Sequence, residues 1–197
     1  MAILSKKHLR ATELTSEVFQ DLELIAIQTK FKNATVIFAC YYRSSVQQYD
    51  ILPKLTLAVE YLVAKGKPLV LFGDFNLPGI EWGDLPIADV SNKQDEFLEM
   101  FQENGLHQKV MVSTRCDAIL DLVFVNEPAL IENVEVGPPL SNTCDHNVVA
   151  FNLGLRALED DPLCSTYKTK IMVESRHFRD RTKLREDKLA AVFPKLP

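Results

Sequence analysis

Leu69-Val70-Leu71-Phe72 is apolar at every position and runs straight into Gly73-Asp74-Phe75-Asn76. A strand with one solvated face alternates; one apolar on both faces must be covered on both. This segment therefore predicts the centre of a sheet held between other layers. Gly73 lets the backbone turn, so that Asp74 and Asn76, two residues apart, face the same side while Phe75 packs inward. In a chain of 197 residues this tetrapeptide arises by chance on the order of once in a thousand. It reads either as a polar pair facing a cleft or as an Asx-turn whose side chains satisfy loop amides.

The flanking sequence supplies the layers. Residues 22–28 and 35–42, rich in β-branched and aromatic residues on either side of Lys32-Asn33, predict an antiparallel hairpin. Ile51, Leu55, Ala58, Val59 and Leu62 recur at helical spacing and predict an amphipathic helix within 47–65, ending near Gly66. After a loop over 77–92, a second helix is expected at about 93–104, burying Phe97, Leu98 and Phe101 and stopping at Asn104-Gly105. Strands are expected at 118–125, 133–136 and 148–153, and Met1–Lys7 reads as the middle of another. Many strands, few helices and an antiparallel start give an α/β layered sandwich rather than a doubly wound parallel sheet. Apolar density drops beyond Asp160-Asp161-Pro162. The expected division is one domain over 1–157 and a basic linker and helical tail over 158–197, with a helix near 180–192.

Charge divides the same way. Residues 1–164 hold 13 Lys and Arg against 23 Asp and Glu, whereas 165–197 hold 9 against 4. An acidic body requires any phosphate-binding surface to be local. The tail is either that surface or a solvated linker. Cys40, Cys116, Cys144 and Cys164 include no Cys-x-x-Cys pair, which gives neither a zinc site nor a disulfide framework and points to a reduced, intracellular setting. No apolar run approaches the roughly 18–20 residues that span a bilayer. The N-terminus has no signal-peptide layout, so no membrane partner is expected.

Asp121 stands inside an otherwise apolar strand, where an unpaired carboxylate costs several kcal/mol, so it needs a partner. The imidazole of Asp145-His146, opening the next apolar run, is a natural one. A buried Asp that fixes one ring nitrogen of a His leaves the other for a substrate, or else simply satisfies a core hydrogen bond. Arg43 and Ser113-Thr114-Arg115 add donors at strand ends, unless the arginines are ordinary surface residues. Cys144 invites a Cys–His nucleophile reading, against that of a small packed residue. Trp82 either stacks on a base or caps the core. His8, His107 and His177 have no motif around them.

In order and spacing, Gly73-Asp74-Phe75-Asn76, Thr114-Arg115, Leu120-Asp121-Leu122-Val123-Phe124 and Cys144-Asp145-His146 resemble the endonuclease/exonuclease/phosphatase superfamily. Tyr42-Arg43 before the first helix and the basic Phe178–Leu189 tail make the resemblance greatest to the apurinic-type endonuclease domain of non-LTR retrotransposon polyproteins. It runs from about residue 2 to 190. The resemblance implies a DNase I-like, four-layer αββα sandwich and hydrolysis of DNA phosphodiesters with Mg²⁺ or Mn²⁺. Asp74 would manage a proton, Asn76 would orient it and hold the phosphate, and His146, oriented by Asp121, would donate to a phosphate oxygen. Asp145 would lie at the metal, with Arg43, Thr114 and Arg115 binding substrate. A reverse transcriptase domain following in a longer polyprotein, and a nuclear setting, are implied in the same way.

Two departures qualify this. Cys144 replaces a Ser of the motif. The family's first-strand Asn and metal-binding Glu precede the hairpin, and Glu13, Glu17 and Glu23 are wrongly placed to replace them. The expectation is therefore a sandwich lacking its first strands, with an incomplete metal site. The alternatives are an inert retroelement remnant acting as a binding module, and a phosphatase of the same superfamily.

Overall fold

The computed structural model describes residues 3, 5, 9–31, 34–44, 51–80, 82, 92–154 and 170–173, without the side chains of 92–93 and 170–173. Its elements are β1 (Thr12–Leu14), β2 (Leu24–Phe31), β3 (Ala34–Tyr42), α1 (Leu52–Val63), β4 (Leu69–Asp74) and α2 (Asn92–Glu103). They continue with β5 (His107–Gln108), β6 (Asp121–Val125), β7 (Ile131–Gly137), β8 (Val148–Leu153) and β9 (Lys170–Val173). One sheet has the order β1-β2-β3-β4-β6-β5, and a second has the order β7-β8-β9. The hairpin β2–β3 is antiparallel, α1 crosses over to set β4 parallel to β3, and β6 returns antiparallel to β4.

Strand periodicity assigns the faces. Ile37, Ala39, Tyr41, Leu69, Leu71, Leu122 and Phe124 pack with Leu55, Val59 and Leu62 of α1 and Phe97 and Phe101 of α2. Their neighbours Val36, Phe38, Val70, Phe72, Val123 and Val125 pack with Ile131, Val149, Phe151 and Leu153 of the second sheet. Every residue of β4 is buried, as its two-sided apolar sequence requires. Helices, large sheet and small sheet are three successive layers of the expected αββα sandwich. No helix is described on the outer face of the small sheet, and none among the described residues is long and apolar enough to cross a membrane.

Boundaries moved for local reasons. α1 is described from Leu52, with Pro53 in its first turn, where a missing N–H costs nothing. α2 stops where expected: Gly105 adopts φ 64°, and the Leu106 amide reaches back to the Phe101 carbonyl at 2.9 Å. The strand expected from 118 begins at Asp121, because Arg115 and Ala118 close a turn and Thr114 takes up the amides of Leu120 and Asp121. β1 and β5 are too short to show a period. β9 pairs with β8 from beyond the expected boundary at 157. The tail helix, most of Met1–Lys7, the Lys32-Asn33 turn, His8 and His177 lie outside the described residues.

Candidate active site

Gly73 fixes where β4 ends. Its φ is 140°, and a Cβ built there would stand 1.9 Å from the Tyr41 carbonyl oxygen, so only glycine lets β4 lie this close to β3. Asp74 follows as the last residue of the strand and pairs in register with Asp121, the first residue of β6. Register partners point to one side, so both carboxylates emerge together, toward the layer from which His146 approaches just before β8.

There His146 Nδ1 lies 2.7 Å from Asp121 Oδ2, and Nε2 lies 4.0 Å from Asp74 Oδ2. Asp74, Asp121 and His146 are 5%, 1% and 6% exposed. With Nδ1–H committed to Asp121, Nε2 faces Asp74. Burial pushes Asp74 up to about 6, and the charge of Asp121 adds to it, against the pull of His146, the Asn76 amide and Arg115. The hydrogen bond to Asp121 raises His146 above its ordinary 6.5, outweighing burial.

Asp74 divides its oxygens. Oδ1 accepts the Asn76 amide at 3.0 Å, which is the Asx-turn foreseen for this tetrapeptide. Oδ2 makes no hydrogen bond among the described residues and lies on the side of His146 Nε2. Asn76 sits at φ 49°, a region Asn tolerates. The nearly buried Arg43 donates from Nη1 to the Asn76 carbonyl at 2.8 Å, and its amide donates to the Asp74 carbonyl at 2.8 Å. Its guanidinium lies 5.8 Å over the Phe97 ring. Arg43 therefore braces the Asp74–Asn76 turn.

Thr114 is fully buried, and its Oγ1 accepts the amides of Leu120 at 2.9 Å and Asp121 at 3.0 Å. Its carbonyl accepts the Asn147 amide at 2.7 Å. One residue thus ties the loop before Asp121 to the loop carrying His146, and it has no exposed surface for the substrate-binding part expected of it. Asn147, which the sequence reading passed over, completes the tie; its only signal was a polar residue between His146 and an apolar run. Arg115 and Asp145 lie at the rim as an ion pair at 2.6 Å, with side chains 43% and 69% exposed.

Of the residues expected in the site, the buried cluster contains Asp74, Asp121 and His146, with Asn76 and Arg43 supporting it and Asp145 outside it. Trp82 packs edge-on against Phe124 at 5.7 Å, in the core. Cys144 Sγ lies 3.1 Å from Ser141 Oγ, and both nitrogens of His146 already face carboxylates, which removes the Cys–His nucleophile reading. His107 is exposed on β5.

The donor set fits a divalent cation. Asp74, Asp121 and His146 each offer a ligand atom, all within 4.8 Å of one another. The burial and like charge that raise Asp74 are what a cation offsets.

A sequence profile of the endonuclease-reverse transcriptase family matches residues 35–150. Among solved structures, the chain is similar to the endonuclease domain of TRAS1, a telomere-specific non-LTR retrotransposon. That likeness has a TM-score of 0.60 and 19% identity over 75% of this chain and 70% of that one. It is also similar to the 3′ phosphatase NExo from Neisseria, solved with a product DNA hairpin, at a TM-score of 0.51 and 19% identity over 73% and 70%. At such identities the likeness is one of fold. No curated protein matches.

Proposed function

The chain belongs to the endonuclease-reverse transcriptase family, and on that premise we propose that it is a divalent-cation-dependent hydrolase of DNA phosphodiesters, a retroelement endonuclease. The observation that carries this reading is the position of His146, with Nδ1 held at 2.7 Å by Asp121 and Nε2 turned toward Asp74. The DNA hairpin bound by the Neisseria protein supports DNA as the substrate class.

In this reading Asp74, ionised at neutral pH because its pKa is about 6, takes a proton from the attacking water through Oδ2. As the water oxygen bonds to phosphorus the bond to the leaving sugar oxygen breaks, and the proton passes from Asp74 by way of solvent to that oxygen. Asn76 fixes that carboxylate through its backbone amide and presents its side chain to the phosphate. His146, whose hold on a proton is strengthened by its hydrogen bond to Asp121, donates from Nε2 to the phosphate oxygen on which charge builds. Arg115 attracts the phosphate at the rim, and Arg43 and Thr114 act as positioning residues. Asp145 would hold a cation, Mg²⁺ or Mn²⁺, beside the cluster. When bound, that ion supplies charge against the phosphate and acidifies its water.

The test is nicking of supercoiled plasmid by the full chain with Mg²⁺, with and without EDTA, beside His146→Ala. Nicking that needs the ion and falls at least about a hundredfold in the variant is expected. Equal nicking by both proteins, or none by either, overturns the proposal.

A further inference from the structure

Arg115 and Asp145 stand on two loops that the backbone ties together. The Asn147 amide donates to the Thr114 carbonyl at 2.7 Å, and Asn147 Nδ2 to the Ser113 carbonyl at 3.4 Å. The main chain is therefore fixed, and the two side chains bridge the loops with a 2.6 Å contact. We propose that this ion pair is a latch coupling cation binding to phosphate binding: each residue is the other's counter-ion until a divalent cation takes Asp145 and a phosphate oxygen takes Arg115. The inference rests on the cation and phosphate roles proposed above.

Three observations support it. Both side chains are substantially exposed, so either ligand can reach them and the pair is cheap to open. The pair adjoins the buried cluster along the chain, since Asp145 directly precedes His146 and Arg115 directly follows Thr114, whose hydroxyl accepts the Asp121 amide. Its partners also have opposite sign, matching the two ligands a metal-dependent phosphodiesterase must gather. Whichever ligand arrives first breaks the pair alone, and the second finds its residue already released. Coupling of this kind is reciprocal.

The experiment measures Mn²⁺ affinity of the full chain by electron paramagnetic resonance, without and with a short phosphorothioate DNA duplex. It compares wild type, Arg115→Gln and Lys109→Gln, the last removing the same charge from the same loop. Without DNA, Arg115→Gln is expected to bind Mn²⁺ about two- to fivefold more tightly than Lys109→Gln. With DNA, wild type should gain more affinity than Arg115→Gln. Equal affinities for the two variants, or an equal gain from the duplex in wild type and Arg115→Gln, overturn the latch while leaving the site's cation intact. Absence of Mn²⁺ binding in all three overturns the cation reading and the latch with it.

Discussion

Asp121 and His146 are 25 residues apart in sequence and 2.7 Å apart in space, and their bond decides which imidazole nitrogen is turned toward Asp74. Asp121→Asn keeps the shape but lets the amide accept or donate, so the ring is no longer held with Nε2 outward and protonated. Nicking should fall by about 10²–10⁴ in kcat with KM little changed. The His146 ring protons should titrate at lower pH by NMR, since the bond to Asp121 is the largest cause of its raised pKa. An unmoved titration would show that Asp121 does not tune the ring.

Asp74 is held at a cost to stability. Its pKa is about 6 in the fold against an ordinary 3.8, so between those values the folded chain binds a proton the unfolded chain lacks. Stability then falls as pH rises through that window. His146 acts in the same sense: its raised value contributes stability below 6.5 that is lost as pH climbs through the folded pKa. Asp74→Asn should therefore be inactive yet more stable at pH 7.5, on the order of 1–3 kcal/mol, with a flatter profile between pH 4 and 6. Urea unfolding at pH 4, 5.5 and 7.5 measures both, and a variant no more stable than wild type at pH 7.5 sinks the account.

The core of this site was legible because its residues break local rules. A carboxylate inside Leu120-Asp121-Leu122 and a Gly-Asp-Phe-Asn after a two-sided apolar strand are costly unless used, so Asp74, Asp121 and His146 stand out. The hairpin and β4 were legible from β-branched runs, and the helix stops from Gly66 and Asn104-Gly105. What stayed hidden is relational. Nothing in Thr114 announces that its hydroxyl is spent on the amides of Leu120 and Asp121, nor in Arg115 that its partner is Asp145. β1, β5 and β9 consist of two to four residues, shorter than any period that could reveal them.

Thr114 offers a clean separation of positioning from binding. Thr114→Val preserves volume but strands two amides, those of Leu120 and Asp121, in the interior. It should cost about 2–4 kcal/mol and lower kcat with KM nearly unchanged, whereas Thr114→Ser should stay within about 1 kcal/mol of wild type. Thermal unfolding and plasmid nicking read the two effects. A rise in KM alone, with stability intact, would return Thr114 to the substrate.

Gly73→Ala tests the seam on which the site is built. The added Cβ would meet the Tyr41 carbonyl oxygen at 1.9 Å in a backbone already at φ 140°, so β3 and β4 must part. The loss should exceed about 3 kcal/mol, visible as a large drop in Tm or as insoluble protein. Gly66→Ala, with nothing within 4 Å of the added methyl but a similarly unusual φ of 59°, should cost only about 1 kcal/mol. Equal losses at the two positions would rule out the strand contact as the cause.

The pH dependence of nicking should follow from the same pair of groups. With Asp74 ionised and His146 protonated in the working form, activity should rise through about pH 6 and decline on the alkaline side as His146 gives up its proton above its ordinary 6.5. A cation beside Asp74 favours the carboxylate, so raising Mg²⁺ from about 0.1 to 10 mM should move the acid limb to lower pH, and leave the alkaline limb in place or lower it slightly. In His146→Gln the alkaline limb should vanish from whatever activity remains while the acid limb persists. If the acid limb stays fixed across that Mg²⁺ range, the cation does not bind near Asp74, and the carboxylate's raised pKa must be relieved by another group.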